Sequence, residues 1–131
     1  MANPLICLDT SVLIDYYRKT DKSNSFFFNL TQTYSHFAVS IITKYEVYIG
    51  SNEEQDKFWK KVFQNITVLH FDDKANKEAV GIFRMLKRKN KAIDIPDLLI
   101  GATASVHKLQ LATLNNKHFS RTEGLKLITK N

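Results

Sequence analysis

Little in this chain cross-links or punctuates it. Its 131 residues include one cysteine, two prolines and four glycines. The lone cysteine, Cys7, forms no intramolecular disulfide, which points to a reducing compartment such as the cytoplasm. Inside the apolar run "PLICL" it reads as a small core hydrophobe rather than a catalytic thiol. So few glycines and prolines argue against low-complexity sequence and long linkers, and no internal repeat is present. The N-terminus has neither the basic stretch nor the small-residue cleavage site of a signal peptide. No apolar run reaches the roughly 20 residues needed to cross a bilayer, so no membrane association is expected. Nor does a phosphate loop follow the first apolar run. "LDTSVLI" contains neither GxGxxG nor GxxxxGK, which argues against dinucleotide binding and P-loop nucleotide hydrolysis.

What is present suits one soluble domain spanning residues 1–131. Apolar residues make up 44% and charged residues 24%, ordinary values for a globular chain long enough to bury a core. The net charge of +6 favours polyanionic partners. The sharpest basic cluster is "KRKNK", Lys87 to Lys91. It reads either as a solvated helix end, where cations suit the macrodipole, or as a nucleic-acid contact.

The pattern along the chain alternates. "LICL", Leu5 to Leu8, reads as a short buried strand ending at Asp9. A helix "SVLIDYYRK" follows, capped by Thr10 or Ser11. "FFFNLTQTY" reads as a second helix, "HFAVS" as a second strand, and "IITKYEVYIG" as a helix ending at Gly50. In "EEQDKFWKKVFQN", Gln55, Phe58, Trp59, Val62 and Phe63 recur at helical spacing. "ITVLHF" is a third strand. From Asp73 to Lys89, Ala75, Ala79, Ile82 and Leu86 form one helical stripe. A helix from about Pro96 to His107, a strand "LQLATL" and an edge strand "LKLIT" complete the pattern. Such alternation implies an α/β fold: a mainly parallel sheet of four to five strands flanked by helices.

In open sheets of this kind, sites form beyond the carboxyl ends of the strands. Asp9 stands at the end of the first strand, as a turn residue or a site residue. Glu46 shares a helical face with Ile42 and Ile49, so an ionisable group falls on a stripe fit for burial and needs a cation, a network or a site. Asp97 falls in the first turn of its helix, where the dipole favours an acid and Pro96 suits the first position. Asp94 precedes that helix as a cap, and the intervening proline is expected to point the two aspartates apart. Asn115 follows the fourth strand, as a turn or a site residue. His118 reads as a surface or packing residue, with a direct role as the alternative. Together Asp9, Glu46, Asp97 and Asn115 reach one rim of the expected sheet. An oxygen-rich cluster there suits Mg²⁺ or Mn²⁺ rather than zinc, and a basic surface beside it would hold a phosphate backbone.

"LICLDTSVLID", "SIITKYEVYIG", "IDIPDLLIGATA" and "LATLNNKHF" stand in the order and at the separations of the PIN-domain family of metal-dependent ribonucleases. Within that family the chain most resembles VapC-type toxins of toxin–antitoxin pairs, over essentially its whole length. The resemblance implies a PIN-like domain and a Mg²⁺-dependent endoribonuclease that hydrolyses RNA phosphodiesters with metal-activated water. It matches Asp9 and Asp97 to metal-binding aspartates, Glu46 to the acid completing the site, and Thr10 or Ser11 to a supporting hydroxyl. Thr113 and Asn115 fill the last motif, while His118 stands where Asp is common. Asn115 would assist catalysis; Asp94 matches no family position. The resemblance further implies a homodimer held in check by a cognate antitoxin whose peptide covers the active-site groove. Tyr16, Tyr17, Phe26, Phe27 and Phe28 are candidates to line that groove, with core packing as the alternative. A PIN nuclease of RNA processing, or a non-catalytic RNA-binding module, stays open as another reading.

Overall fold

The computed structural model describes residues 3–130. Five strands form one parallel sheet: β1 (Leu5–Leu8), β2 (His36–Ser40), β3 (Thr67–Leu69), β4 (Leu111–Thr113) and β5 (Leu127–Thr129), in the spatial order β3-β2-β1-β4-β5. The helices are α1 (Thr10–Arg18), α2 (Phe26–Thr31), α3 (Ile41–Ile49), α4 (Glu53–Phe63), α5 (Asp73–Arg88), α6 (Ile95–Val106) and α7 (Asn116–Phe119), with a 3₁₀ turn at Lys22–Asn24. The expected α/β class and parallel sheet are observed. Among the described residues no helix is long and apolar enough to cross a membrane.

The central strand β1 is apolar throughout because both its faces are covered. Alternation sends Ile6 and Leu8 to one side, where they meet Val12, Leu13, Phe26, Trp59 and Phe63. Cys7 goes to the other side, with Ile100, Ala104, Leu111 and Phe119. Outside that second layer, Ala79, Ile82 and Leu86 of α5 bury their stripe against Leu98 and Ala102 of α6. Each buried isoleucine or leucine among them contributes roughly 1.5–3 kcal/mol relative to exposure.

Several boundaries differ from the sequence expectation, for local reasons. Position nine, not Thr10 or Ser11, is the N-cap of α1, although the Asp9 side chain makes no cap bond. The aromatic helix ends at Thr31, where the Tyr34 N–H turns back to the Leu30 carbonyl. In the polar break after α1, Lys22 Nζ donates to the carbonyls of Tyr16, Tyr17 and Lys19 and so closes the end of that helix. Gln55 completes a capping box with Asn52 and donates to Tyr17 Oη at 2.9 Å, while Trp59 and Phe63 carry the buried face. On α3 the buried positions are Thr43 and Val47, and Ile49 is 65% exposed, so the stripe lies one step round from the expected one. Helix α6 begins at Ile95, which places Pro96 second rather than first.

Gly101 is buried inside α6, yet a Cβ there would meet Leu125 and Phe119 at 3.5–3.7 Å, ordinary contact distances. Gly101→Ala should therefore stabilise the protein by about 0.5–1 kcal/mol through helix propensity. Chemical denaturation checks this, and a loss of stability would show that the α6–α7 contact is tighter than these distances.

Candidate functional site at the carboxyl rim of the sheet

The parallel pairing of β1 with β4, Leu8 opposite Ala112, brings the two strand ends side by side. Asp9 leaves β1 there and is 2% exposed. Burial of a carboxylate is tolerated because donors meet it: Ser11 Oγ and Thr113 Oγ1 each donate to Asp9 Oδ2 at 2.7 Å. Both hydroxyls also accept backbone N–H groups from the turn after β4. Leu114 N donates to Ser11 Oγ at 3.1 Å and Asn115 N to Thr113 Oγ1 at 2.8 Å. Even so, the Asp9 carboxyl titrates above its ordinary range, chiefly through burial and further through the charge of Asp97.

Glu46 reaches the same rim from α3. Thr10 Oγ1 donates to its Oε1 at 2.7 Å and lies 3.0 Å from Thr43 Oγ1. Burial again pushes the Glu46 carboxyl up, and the charges of Asp97, Asp9 and Asp94 add to that effect. Thr10 and Ser11, the two alternatives for one supporting hydroxyl, both contact acids, and different ones.

The third wall is the start of α6. Asp94 is its N-cap residue and Asp97 lies in its first turn. Residues three apart on a helix share a side, so the proline between them does not point them apart as expected. Their carboxylate oxygens and one ring nitrogen of His118 all lie within 4.8 Å of one another. Asp94 makes no side-chain cap bond, so its carboxylate is not committed to the helix end. His118 Nδ1 lies 3.0 Å from Asp97 Oδ2 and 3.0 Å from Asn115 Nδ2, and Asn115 Nδ2 lies 3.4 Å from Asp97 Oδ2. The short helix α7 makes this contact by setting His118 three residues after its N-cap residue Asn115. The His118 reading as a surface or packing residue is thus corrected: its ring faces the acids. Cys7 stands two residues before Asp9 but points into the core, and burial together with the Asp9 charge pushes its thiol up to about 12.

Carboxylate oxygens converging at one rim, with one imidazole and one amide, are donors for a divalent cation. The sequence profile of the PIN domain matches residues 6–125. This chain belongs to the PIN-domain family. It is 33% identical over 128 residues to ribonuclease VapC1 of Methanocaldococcus jannaschii, covering 95% of this chain and 88% of that relative. Ribonuclease VapC10 of Mycobacterium tuberculosis is 28% identical, with 93% and 91% covered. Among solved structures, VapBC2 from Rickettsia felis bound to a promoter DNA fragment has a similar fold. Its TM-score is 0.84 at 24% identity, with 97% of this chain and 99% of that chain covered.

Two grooves flank α1 of this PIN domain. One, of about 540 Å³, starts at Thr10, Ser11 and Leu114 beside the acids and ends at Arg18 and Lys19. The other, of about 470 Å³, lies between Tyr16, Phe27, Phe37, Phe58, Val62 and Ile66. Of the five aromatics expected to line a groove, only Tyr16 and Phe27 do so here. Phe26 is core, Tyr17 packs against Phe58 and Trp59, and Phe28 is 38% exposed.

Removing the Asp9 charge should stabilise the metal-free protein. The folded-state carboxyl is raised, so its ionisation opposes folding above that value and costs nothing where both states are protonated. In EDTA near neutral pH, Asp9→Asn is expected to gain roughly 0.5–2 kcal/mol, the usual yield of a stabilising change. The gain should shrink as pH falls through the raised Asp9 value. Denaturation midpoints across pH check this, and a gain that grows toward acid would contradict it.

Proposed function

We propose that this chain is the toxin of a toxin–antitoxin pair and cleaves RNA with the help of Mg²⁺, or Mn²⁺ in its place. The observation that carries the reading is the acid-lined rim in a chain similar over nearly its whole length to proteins named ribonuclease VapC. In support of an antitoxin partner, solved structures with this fold include VapBC assemblies and a toxin–antitoxin complex from Klebsiella pneumoniae, the latter 25% identical with a TM-score of 0.76. A homodimer in the cytoplasm, with the aromatic groove as one surface open to a partner, completes the proposal.

Asp9, Glu46 and Asp97 would hold the ion, and their donor chemistry fits: hard oxygens from three separate elements. When bound, a divalent cation supplies positive charge against a phosphoryl oxygen and eases deprotonation of water. The protein's own share is positioning. Ser11 and Thr113 fix one Asp9 oxygen, and Thr10 fixes one Glu46 oxygen. The Asn115 amide, 3.4 Å from Asp97 Oδ2, would steady Asp97 and donate to a phosphate oxygen. Arg18 and Lys19 lie about two helical turns from Thr10, roughly 12 Å along α1, and give the RNA backbone a cationic end to its groove.

Purified protein should cut RNA with Mg²⁺ and not with EDTA, and Asp97→Asn should lower the rate by roughly 100-fold or more, the scale of damage to groups that shape a metal site. Expression should arrest growth, and the same substitution should relieve the arrest. Equal cleavage with EDTA, or by Asp97→Asn, would sink the enzymatic assignment. Cleavage without growth arrest would leave a PIN nuclease that is not a toxin.

A further inference from the structure

His118 Nδ1, Asp97 Oδ2 and the Asn115 amide make three close contacts that no single proton arrangement satisfies together. A ring nitrogen carries either a proton or a lone pair. If Nδ1 donates to Asp97 Oδ2, 3.0 Å away, it has no lone pair for the Asn115 Nδ2 donor at the same distance. If it accepts from Asn115, its lone pair lies beside the carboxylate. Turning the amide over, which leaves its outline unchanged, sets its oxygen against the Asp97 carboxylate in place of the nitrogen now 3.4 Å away. Every arrangement leaves one of the three contacts mismatched: two donors face each other in the first and two acceptors in the other two, and a cation between the acceptors relieves the latter.

The distances fit such an ion. Two neighbouring ligands of an octahedral ion, each about 2.1 Å from it, stand about 3.0 Å apart. The Nδ1–Oδ2 pair has that separation, and a carboxylate oxygen of Asp94 joins them within 4.8 Å. The Asp94 side chain has no cap bond to give up, and the His118 side chain is 34% exposed, so an ion can enter. Imidazole nitrogen is a softer donor than carboxylate oxygen and suits transition metals better than Mg²⁺.

We infer that His118 Nδ1, Asp97 Oδ2 and the Asp94 carboxylate bind one divalent cation directly, and that the imidazole makes this site favour Mn²⁺ over Mg²⁺. The inference rests on the metal-dependent reading above and adds Asp94 and His118 to the ligands around Asp97, the one residue shared with the set Asp9, Glu46 and Asp97. Binding leaves the ring proton on Nε2. It also gives Asp94 and His118 a role as ligands rather than as a cap and a bystander.

The experiment is pulsed electron paramagnetic resonance on the metal-free full-length protein titrated with Mn²⁺ alone, together with competition by Mg²⁺. The wild-type spectrum should carry the nitrogen modulation of a directly bound imidazole. In His118→Asp, that modulation should vanish while Mn²⁺ still binds, and the Mn²⁺ preference should fall by roughly tenfold. Asp94→Asn should weaken Mn²⁺ binding with the nitrogen signal retained. Because the wild-type spectrum alone reports the imidazole contact, a poorly folding variant does not shield the inference. Bound Mn²⁺ without nitrogen modulation would overturn the inference and leave the metal-dependent function standing. Failure of the wild type to bind Mn²⁺ at all would overturn both.

Discussion

The site depends on a carboxylate that is almost wholly buried at the end of the central strand. Asp9 is tolerable there only because two hydroxyls donate to one of its oxygens. Those hydroxyls are themselves held by backbone N–H groups of the segment leaving β4. Chain elements more than a hundred residues apart are thus joined through one acid, in the order N–H to hydroxyl to carboxylate. The register of β1 on β4 makes the joint possible, since Leu8 stands opposite Ala112 and the next residues must meet. Once that exit is fixed, Asn115 and His118 follow on the short helix α7 and reach Asp97.

The rim is electrically unbalanced from within. Asp9, Glu46, Asp94 and Asp97 lie close enough for their charges to act on one another, and burial compounds the cost for Asp9 and Glu46. Among the described residues no lysine or arginine pairs with any of the four. Lys19 is paired with Asp15, Lys77 with Asp73 and Lys89 with Glu123, while Arg121 donates to the Ala92 carbonyl. The basic excess of the chain therefore stays on the outside of the acid patch. That division suits a polyanion approaching across the surface while the acids keep their negative charge for an ion.

Much of this was legible in the sequence because it follows from period. Apolar runs on β1 and β2 and the stripe of α5 gave their own elements, and acids at strand ends and helix starts marked the rim. The failures share a cause: they concern placement across the chain. Helix α7 spans four residues, too few for any period to show, and His118 could not be aimed without it. Asp94 read as a cap because its position is a cap position, but whether a carboxylate turns back to the helix or outward is not a matter of spacing. Glu46 was found through a stripe that included Ile49, which is in fact exposed; its real anchor is Thr10, thirty-six residues away. Burial at a helix edge is decided by what the fold lays against it, and only the sheet order reveals that.

Precision at such a rim comes from bracing rather than from the loops themselves. Asp94 sits on the segment joining α5 to α6, which would be free to move if it were only a connection. Two exposed contacts, Lys89 with Glu123 and Arg121 with the Ala92 carbonyl, link it to the segment that follows α7. That same segment emerges from the helix bearing His118. The tether holding Asp94 and the helix presenting the imidazole are therefore one continuous stretch of chain, itself anchored in the core by the fully buried Phe119. Asp97 is held separately, on a helix whose body is buried from Leu98 to Ala104 apart from the half-buried Leu99. An ion that draws Asp97 and His118 together would thus act on two groups each held by a buried anchor, the body of α6 and Phe119, which lowers the cost of ordering them.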